Sequence, residues 1–276
     1  MGFPGTTDIA LNKLLKSLLA LALACLPACT QAPALKPLRI LFIGNSLTYV
    51  NDLPGALAAI AGADGRALAV STRAVGGWTL AMHDADPDTN AMIRKGGWFA
   101  VVLQEQSIAS VDNFRGFHDA AVSLGAKVKA AGARTLLYQN WPLKGHPERT
   151  GEYRDAFESV ARELGARRVP AGDAWNLVLQ DSPGRWAGLY DDDRHPTVQG
   201  TYLTACVFYG VLFQASPTHQ DPVFGLGPED SAYLQAKAWQ AVQDLSPTAQ
   251  TALPDALERP PEAGCNVRSR SRSSAG

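Results

Sequence analysis

The 276-residue sequence is short of cysteine, has no excess of either charge, and contains no apolar run long enough to cross a bilayer as a mature helix. Of its four cysteines, Cys25 and Cys29 lie in an N-terminal apolar segment, which leaves Cys206 and Cys265. No multi-bridge disulfide framework can carry the fold, and no spacing among the four resembles a zinc ligand set. Cys206 sits in the apolar helical run TYLTACVFYGVLF and Cys265 in a polar tail; a bridge and two separate thiols are both open. The formal net charge of -1 removes any electrostatic reason to expect nucleic acid as a partner. Small uncharged substrates suit such a surface, and a monomer is expected. The one basic cluster, Arg268, Arg270 and Arg272, alternates with serine and reads as a solvated tail.

What is present at the N-terminus points to export. Lys13 and Lys16 precede SLLALALAC, and small residues follow, as in a secretory signal peptide. The run falls short of the roughly 20 residues a spanning helix needs. Within it, LPAC from Leu26 to Cys29 resembles the lipobox of bacterial lipoproteins, which implies a lipid anchor to a membrane through Cys29; Cys25 is the poorer match. Cleavage by an ordinary signal peptidase, giving a secreted protein, is the alternative. The chain therefore divides into a signal peptide over 1–28, a linker over 29–37, one domain over 38–246 and a disordered tail over 247–276. The expected location is the periplasm or the outer membrane, or outside the cell.

In the domain, strand-like and helix-like runs alternate, the pattern of a parallel sheet covered on both faces. Strands are predicted at Arg39–Ile43, at ALAVSTR before Val75, at Phe99–Leu103, at Arg134–Tyr138 and in RRVP ending at Pro170. The first is continuously apolar, as a strand buried on both sides requires. Apolar stripes at helical spacing join them: Leu53, Leu57 and Ile60; Phe114, Phe117, Ala121, Leu124 and Val128; Tyr153, Phe157, Val160 and Leu164. A helix from about Val198 to Gln214 follows, then a long loop from Pro217 to Pro228, then a helix carrying Leu234, Ala238, Val242 and Leu245. The expected architecture is a three-layer α/β/α sandwich with five parallel strands.

In such sheets, ligands bind outside the carboxyl ends of the strands. Four polar segments fall there: Gly44-Asn45-Ser46-Leu47-Thr48, Val75-Gly76-Gly77-Trp78-Thr79, Gln104-Glu105-Gln106-Ser107, and Asp191-Asp192-Asp193-Arg194-His195-Pro196 before the late helix. A serine hydroxyl becomes nucleophilic when a base removes its proton, and an imidazole serves best when a carboxylate fixes its tautomer. Asp192 and His195 can meet across one turn, leaving the second ring nitrogen for Ser46. The oxyanion that would form needs donors, for which the Ser46 N–H, the Gly77 N–H and the Gln106 side chain are candidates.

These blocks resemble the SGNH hydrolases, also called GDSL esterases. ILFIGNSLT matches the nucleophile block, VGGWT the glycine block and Asp192 with His195 the closing DxxH block, in family order over nearly the whole domain. The resemblance implies the family's flavodoxin-like fold, a serine nucleophile and no cofactor. The third block departs from the pattern: in place of GxND the sequence has QEQS. Alignment on the strand end puts Gln106 at the asparagine position, and a one-residue bulge would substitute Gln104.

The resemblance implies ester hydrolysis through an acyl-enzyme, and export suggests O-acetyl groups on carbohydrates as substrate. A catalytically silent carbohydrate-binding lipoprotein on the same fold is the alternative. Dinucleotide binding is disfavoured because GNSLT lacks the glycine fingerprint, and the α/β-hydrolase fold because GNSLT lacks the closing glycine of G-x-S-x-G. His83 reads as a pocket or packing residue, and His118, His146 and His219 have no metal-ligand spacing. No metal is expected at Asp191–Asp193, where one carboxylate is committed to His195. Trp78 and Trp141 follow strand ends and read equally as a substrate wall or as core.

Overall fold

Five strands form one all-parallel sheet in the order β2-β1-β3-β4-β5 in the computed structural model, which describes residues 36–181, 187–219 and 221–245. The strands are β1 (Leu38–Gly44), β2 (Leu68–Ala74), β3 (Ala100–Gln104), β4 (Arg134–Tyr138) and β5 (Arg167–Val169). The order reverses at β1, which lies between β2 and β3, and in open α/β sheets such a switch point opens the crevice where ligands bind. The signal peptide assigned to 1–28, the linker assigned to 29–37 up to residue 35, and the tail assigned to 247–276 lie outside the described residues, as does Cys265. Cys206 is a free, buried thiol.

Helices cover both faces, giving the α/β/α sandwich of the flavodoxin-like class. Ile40 and Phe42 of β1, Val102 of β3 and Tyr138 of β4 pack against α2 (Leu53–Ala63), α8 (Ala171–Asp181), α9 (Val198–Phe213) and α10 (Pro228–Gln243). The alternate residues Leu41, Ile43, Val101 and Leu103 face α3 (Leu80–Ala85), α4 (Pro87–Lys95), α6 (Phe114–Ala130) and α7 (Thr150–Leu164). Period-two alternation thus feeds two cores from one set of strands. Two further one-turn helices, α1 (Ser46–Tyr49) and α5 (Ala109–Asp112), follow β1 and β3. Helix α9 is buried on all sides from Gly200 to Phe213, because it lies between the sheet and α10.

Three helices carry no long apolar stripe and escape the periodicity reading: α3, α4 and α8. Their caps are nevertheless in the sequence. The Thr79 side chain accepts from Met82 N at 3.3 Å and Asp86 from Thr89 N at 2.8 Å, with Pro87 at the first position of α4. Strand β3 begins one residue later than the apolar run suggests and ends on Gln104. That shift decides the role of Gln104. No helix among the described residues is long and apolar enough to cross a membrane.

Candidate active site

The turn after β1 is built on close approach. A Cβ on Gly44 would lie 2.4 Å from Gln104 Oε1 and 2.5 Å from Thr48 Oγ1, so only glycine fits between β1 and β3. Asn45 is 2% exposed and makes three ties: its N–H donates to Gln104 Oε1 at 2.7 Å, its Oδ1 accepts from Leu47 N at 3.2 Å, and its Nδ2 donates to Trp78 O at 2.9 Å. The second caps α1, on which Ser46 is the first residue, and the first ties the turn to β3. The third links the Ser46 turn to the glycine turn. The Ser46 N–H, at the start of a helix, has no acceptor one turn earlier.

His195 completes a chain of hydrogen bonds. Ser46 Oγ and His195 Nε2 are 2.8 Å apart, and His195 Nδ1 lies 2.7 Å from Asp192 Oδ2. Asp192 Oδ1 accepts from the backbone N–H groups of Arg194 and His195 at 2.8 and 2.7 Å. These contacts, led by that with the imidazole, hold the Asp192 carboxyl well below the usual carboxylate range. An ionised Asp192 accepts a hydrogen bond from Nδ1–H and fixes that tautomer, so Nε2 presents its lone pair to the serine hydroxyl. The loop is pinned through its carbonyls: Trp141 Nε1 donates to Arg194 O at 3.0 Å and Asn51 Nδ2 to Pro196 O at 2.9 Å.

The two glutamines of QEQS separate cleanly. Gln104 is wholly buried; its Oε1 accepts from Asn45 N and from Thr48 Oγ1 at 3.0 Å, and its Nε2 donates to Glu105 O. With these commitments it is a brace for the Ser46 turn and does not line the cavity. Gln106 lies past the strand end and lines the cavity. Its Oε1 accepts from Ile108 N at 3.1 Å, which fixes the orientation of the amide, and Nε2 donates one hydrogen to Ser107 Oγ at 3.0 Å. The second Nε2 hydrogen has no bonded partner among the described residues. Gly77, with φ of +75°, lets the turn from Val75 to Trp78 close through a 3.1 Å Trp78 N to Val75 O bond.

Ser46, His195, Gly77 and Gln106 thus line one cavity of about 190 Å³, with Asn45, Leu47, Ser107 and Arg194 as its other walls. Asp192 stands behind His195. Trp141 is no substrate wall: it is 2% exposed and stacks on Trp175 with ring centroids 3.6 Å apart. Trp78 is half-buried, with the Arg73 guanidinium 5.6 Å from its ring centroid. His83 also stays out of the cavity. It is fully buried, Nε2 reaches Gly44 O at 2.8 Å and Nδ1 reaches Thr89 Oγ1 at 3.1 Å, and burial pushes its pKa down. The other histidines pair with carboxylates, His118 with Asp119 and Glu163, His146 with Glu148 and His219 with Asp64. Asp193 pairs with Arg194 at 2.7 Å, and among the described residues no three potential ligands gather as a metal site.

The bridging role of Asn45, the brace of Gln104 and the support from His83 are beyond a sequence reading. Only the G-N-S turn itself signals the first of them.

No protein-family model and no curated protein matches the sequence. Solved structures do. A protein from Slackia heliotrinireducens described as a candidate SGNH hydrolase is 28% identical, with a TM-score of 0.53 over 63% of this chain and 97% of that one. A DUF4886 family protein from Bacteroides uniformis is 16% identical, with a TM-score of 0.60 over 76% of this chain and 96% of that one. The fold of this protein, with its cavity at the β1 switch point, is that of the SGNH hydrolases.

Proposed function

We propose that the protein is a serine esterase that hydrolyses carboxylic esters through an acyl-enzyme. The observation that carries the reading is the continuous chain from Asp192 through His195 to Ser46, at 2.7 and 2.8 Å, opening into a cavity. The 28% identity to a protein described as a candidate SGNH hydrolase supports it. In this scheme His195 takes the proton from Ser46 Oγ as the oxygen attacks the ester carbonyl. The oxyanion is held by the N–H groups of Ser46 and Gly77 and by the free Nε2 hydrogen of Gln106. His195 then protonates the departing alkoxide. Water, activated by the same ring, releases the acid.

The cavity of about 190 Å³ suits a short acyl group, and the polar side chains of Gln106, Ser107 and Arg194 in its wall suit a hydroxylated leaving group. O-acetyl groups on carbohydrates fit both, and an exported lipoprotein anchored through Cys29 would meet such substrates in the cell envelope. The test is incubation of the purified protein with a fluorophosphonate probe and with p-nitrophenyl acetate. Covalent labelling and turnover are expected, both abolished in Ser46→Ala. Folded protein that does neither, or labelling unchanged in Ser46→Ala, overturns the reading. A panel of acetylated sugars against longer-chain esters tests the substrate class.

A further inference from the structure

Next to Gln106 of the cavity wall lies a carboxylate that this hydrolytic scheme does not use. Glu105 follows β3 and is 1% exposed. Among the described residues it has no lysine, arginine or histidine within ion-pair distance. Its contacts are two backbone N–H groups: that of Gln106, 2.6 Å from Oε1, and that of Leu80, shared between Oε1 and Oε2 at 3.2 and 3.3 Å. Burial pushes its pKa up to about 7, against the pull of those two donors. A carboxylate buried without a counter-ion costs several kcal/mol, and an apolar side chain could fill the same volume. The identity of the two donors explains its presence. One is the backbone of the residue whose carboxamide faces the cavity, and the other is three residues beyond Gly77, at the first residue of α3.

We infer that Glu105 is a positioning residue for the oxyanion hole: its bonds to Leu80 N and Gln106 N hold the turn after β2 and the loop after β3 in register, so that Gly77 N–H and the Gln106 carboxamide converge on one oxygen. The inference rests on the esterase reading above. A carboxylate suits this task, because Oε1 accepts from both N–H groups while Oε2 accepts from Leu80 N as well. A carboxamide with its oxygen at the Oε1 position replaces the second acceptor to Leu80 N by an NH₂ group, a donor facing a donor. Donors displaced by about 1 Å forfeit on the order of 10²-fold in rate.

The test compares wild type, Glu105→Gln, Gln106→Ala and the double variant, all in the full chain, with p-nitrophenyl acetate and a fluorophosphonate. Glu105→Gln is expected to lower kcat about 10- to 100-fold with KM within about two-fold, and to slow phosphonylation of Ser46 by a similar factor. If Glu105 acts through the hole, the double variant loses clearly less than the product of the two single losses, the remainder being the Gly77 N–H, whereas a general structural defect would multiply the two losses. Should Glu105→Gln not fold, Glu105→Asp, which keeps the charge and withdraws it by one methylene, carries the same readouts. An active wild type with undiminished kcat in a folded Glu105 variant, or multiplicative losses in the double variant, overturns the inference alone. Wild type inert to both reagents overturns the esterase reading and the inference together.

Discussion

The two sides of the proposed catalytic constellation are held in opposite ways. The nucleophile turn is dry: Asn45 is 2% exposed and Gln104 and Thr48 not at all, so every polar atom there must meet a fixed partner. The base stands on a surface loop, where the Asp192 side chain is 50% exposed and His195 28%. That loop is anchored by its carbonyls, and Asp192 is aimed by two N–H groups of its own turn. Substitutions on the dry side should therefore disturb stability and activity together. On the wet side they should disturb activity alone.

The largest expected effect tests the wet side. Asp192→Asn should reduce kcat by roughly 10²- to 10⁴-fold, because the ring loses the acceptor that fixes its tautomer, while the thermal midpoint stays within a few degrees. A large fall in that midpoint would break the contrast. Next is Gln106→Ala, at the cavity wall, which should lower kcat about 10- to 1,000-fold with little change in KM. Equal activity would leave the hole to the two backbone donors.

Glu105 sharpens the contrast by pH. Its folded pKa of about 7 exceeds the ordinary value near 4.5, so the folded state holds the proton more tightly. The stability this contributes is fully present below about pH 4.5 and is lost as pH rises through about 7. Relative to Glu105→Gln, wild type should lose as much as about 3 kcal/mol between pH 4.5 and 8, at about 1.36 kcal/mol for each pH unit separating the folded and unfolded values. Urea titrations at both pH values measure it, and parallel curves would mean that Glu105 ionises as freely as in water. The smallest effect belongs to Gln104→Ala, which strands buried donors on Asn45 and Thr48 and should cost about 1 to 3 kcal/mol in the same titrations. Loss of activity there without loss of stability would remove the distinction between the two sides.

Much of this arrangement is legible in the sequence. Strands β1 and β3 announce themselves as apolar runs because a strand buried on both faces has no polar positions to spare. Gly44-Asn45-Ser46 and Asp192 to His195 stand out because short-range geometry alone brings an N-cap or an aspartate–histidine pair together. Helices α3, α4 and α8 do not stand out, since their length is set by the neighbours they pack against.

The sequence by itself determined that a serine, a histidine and an aspartate would stand at one edge of a parallel sheet, because strand ends and turn chemistry are local properties. Tertiary structure alone decided the division of labour. Gln104 ends a strand and is enclosed by the nucleophile turn, Gln106 lies beyond that end and opens to the cavity, and Trp141 meets Trp175 across the fold. Which neighbour a carboxamide or an indole meets depends on segments distant in the chain, and no spacing along the sequence encodes that.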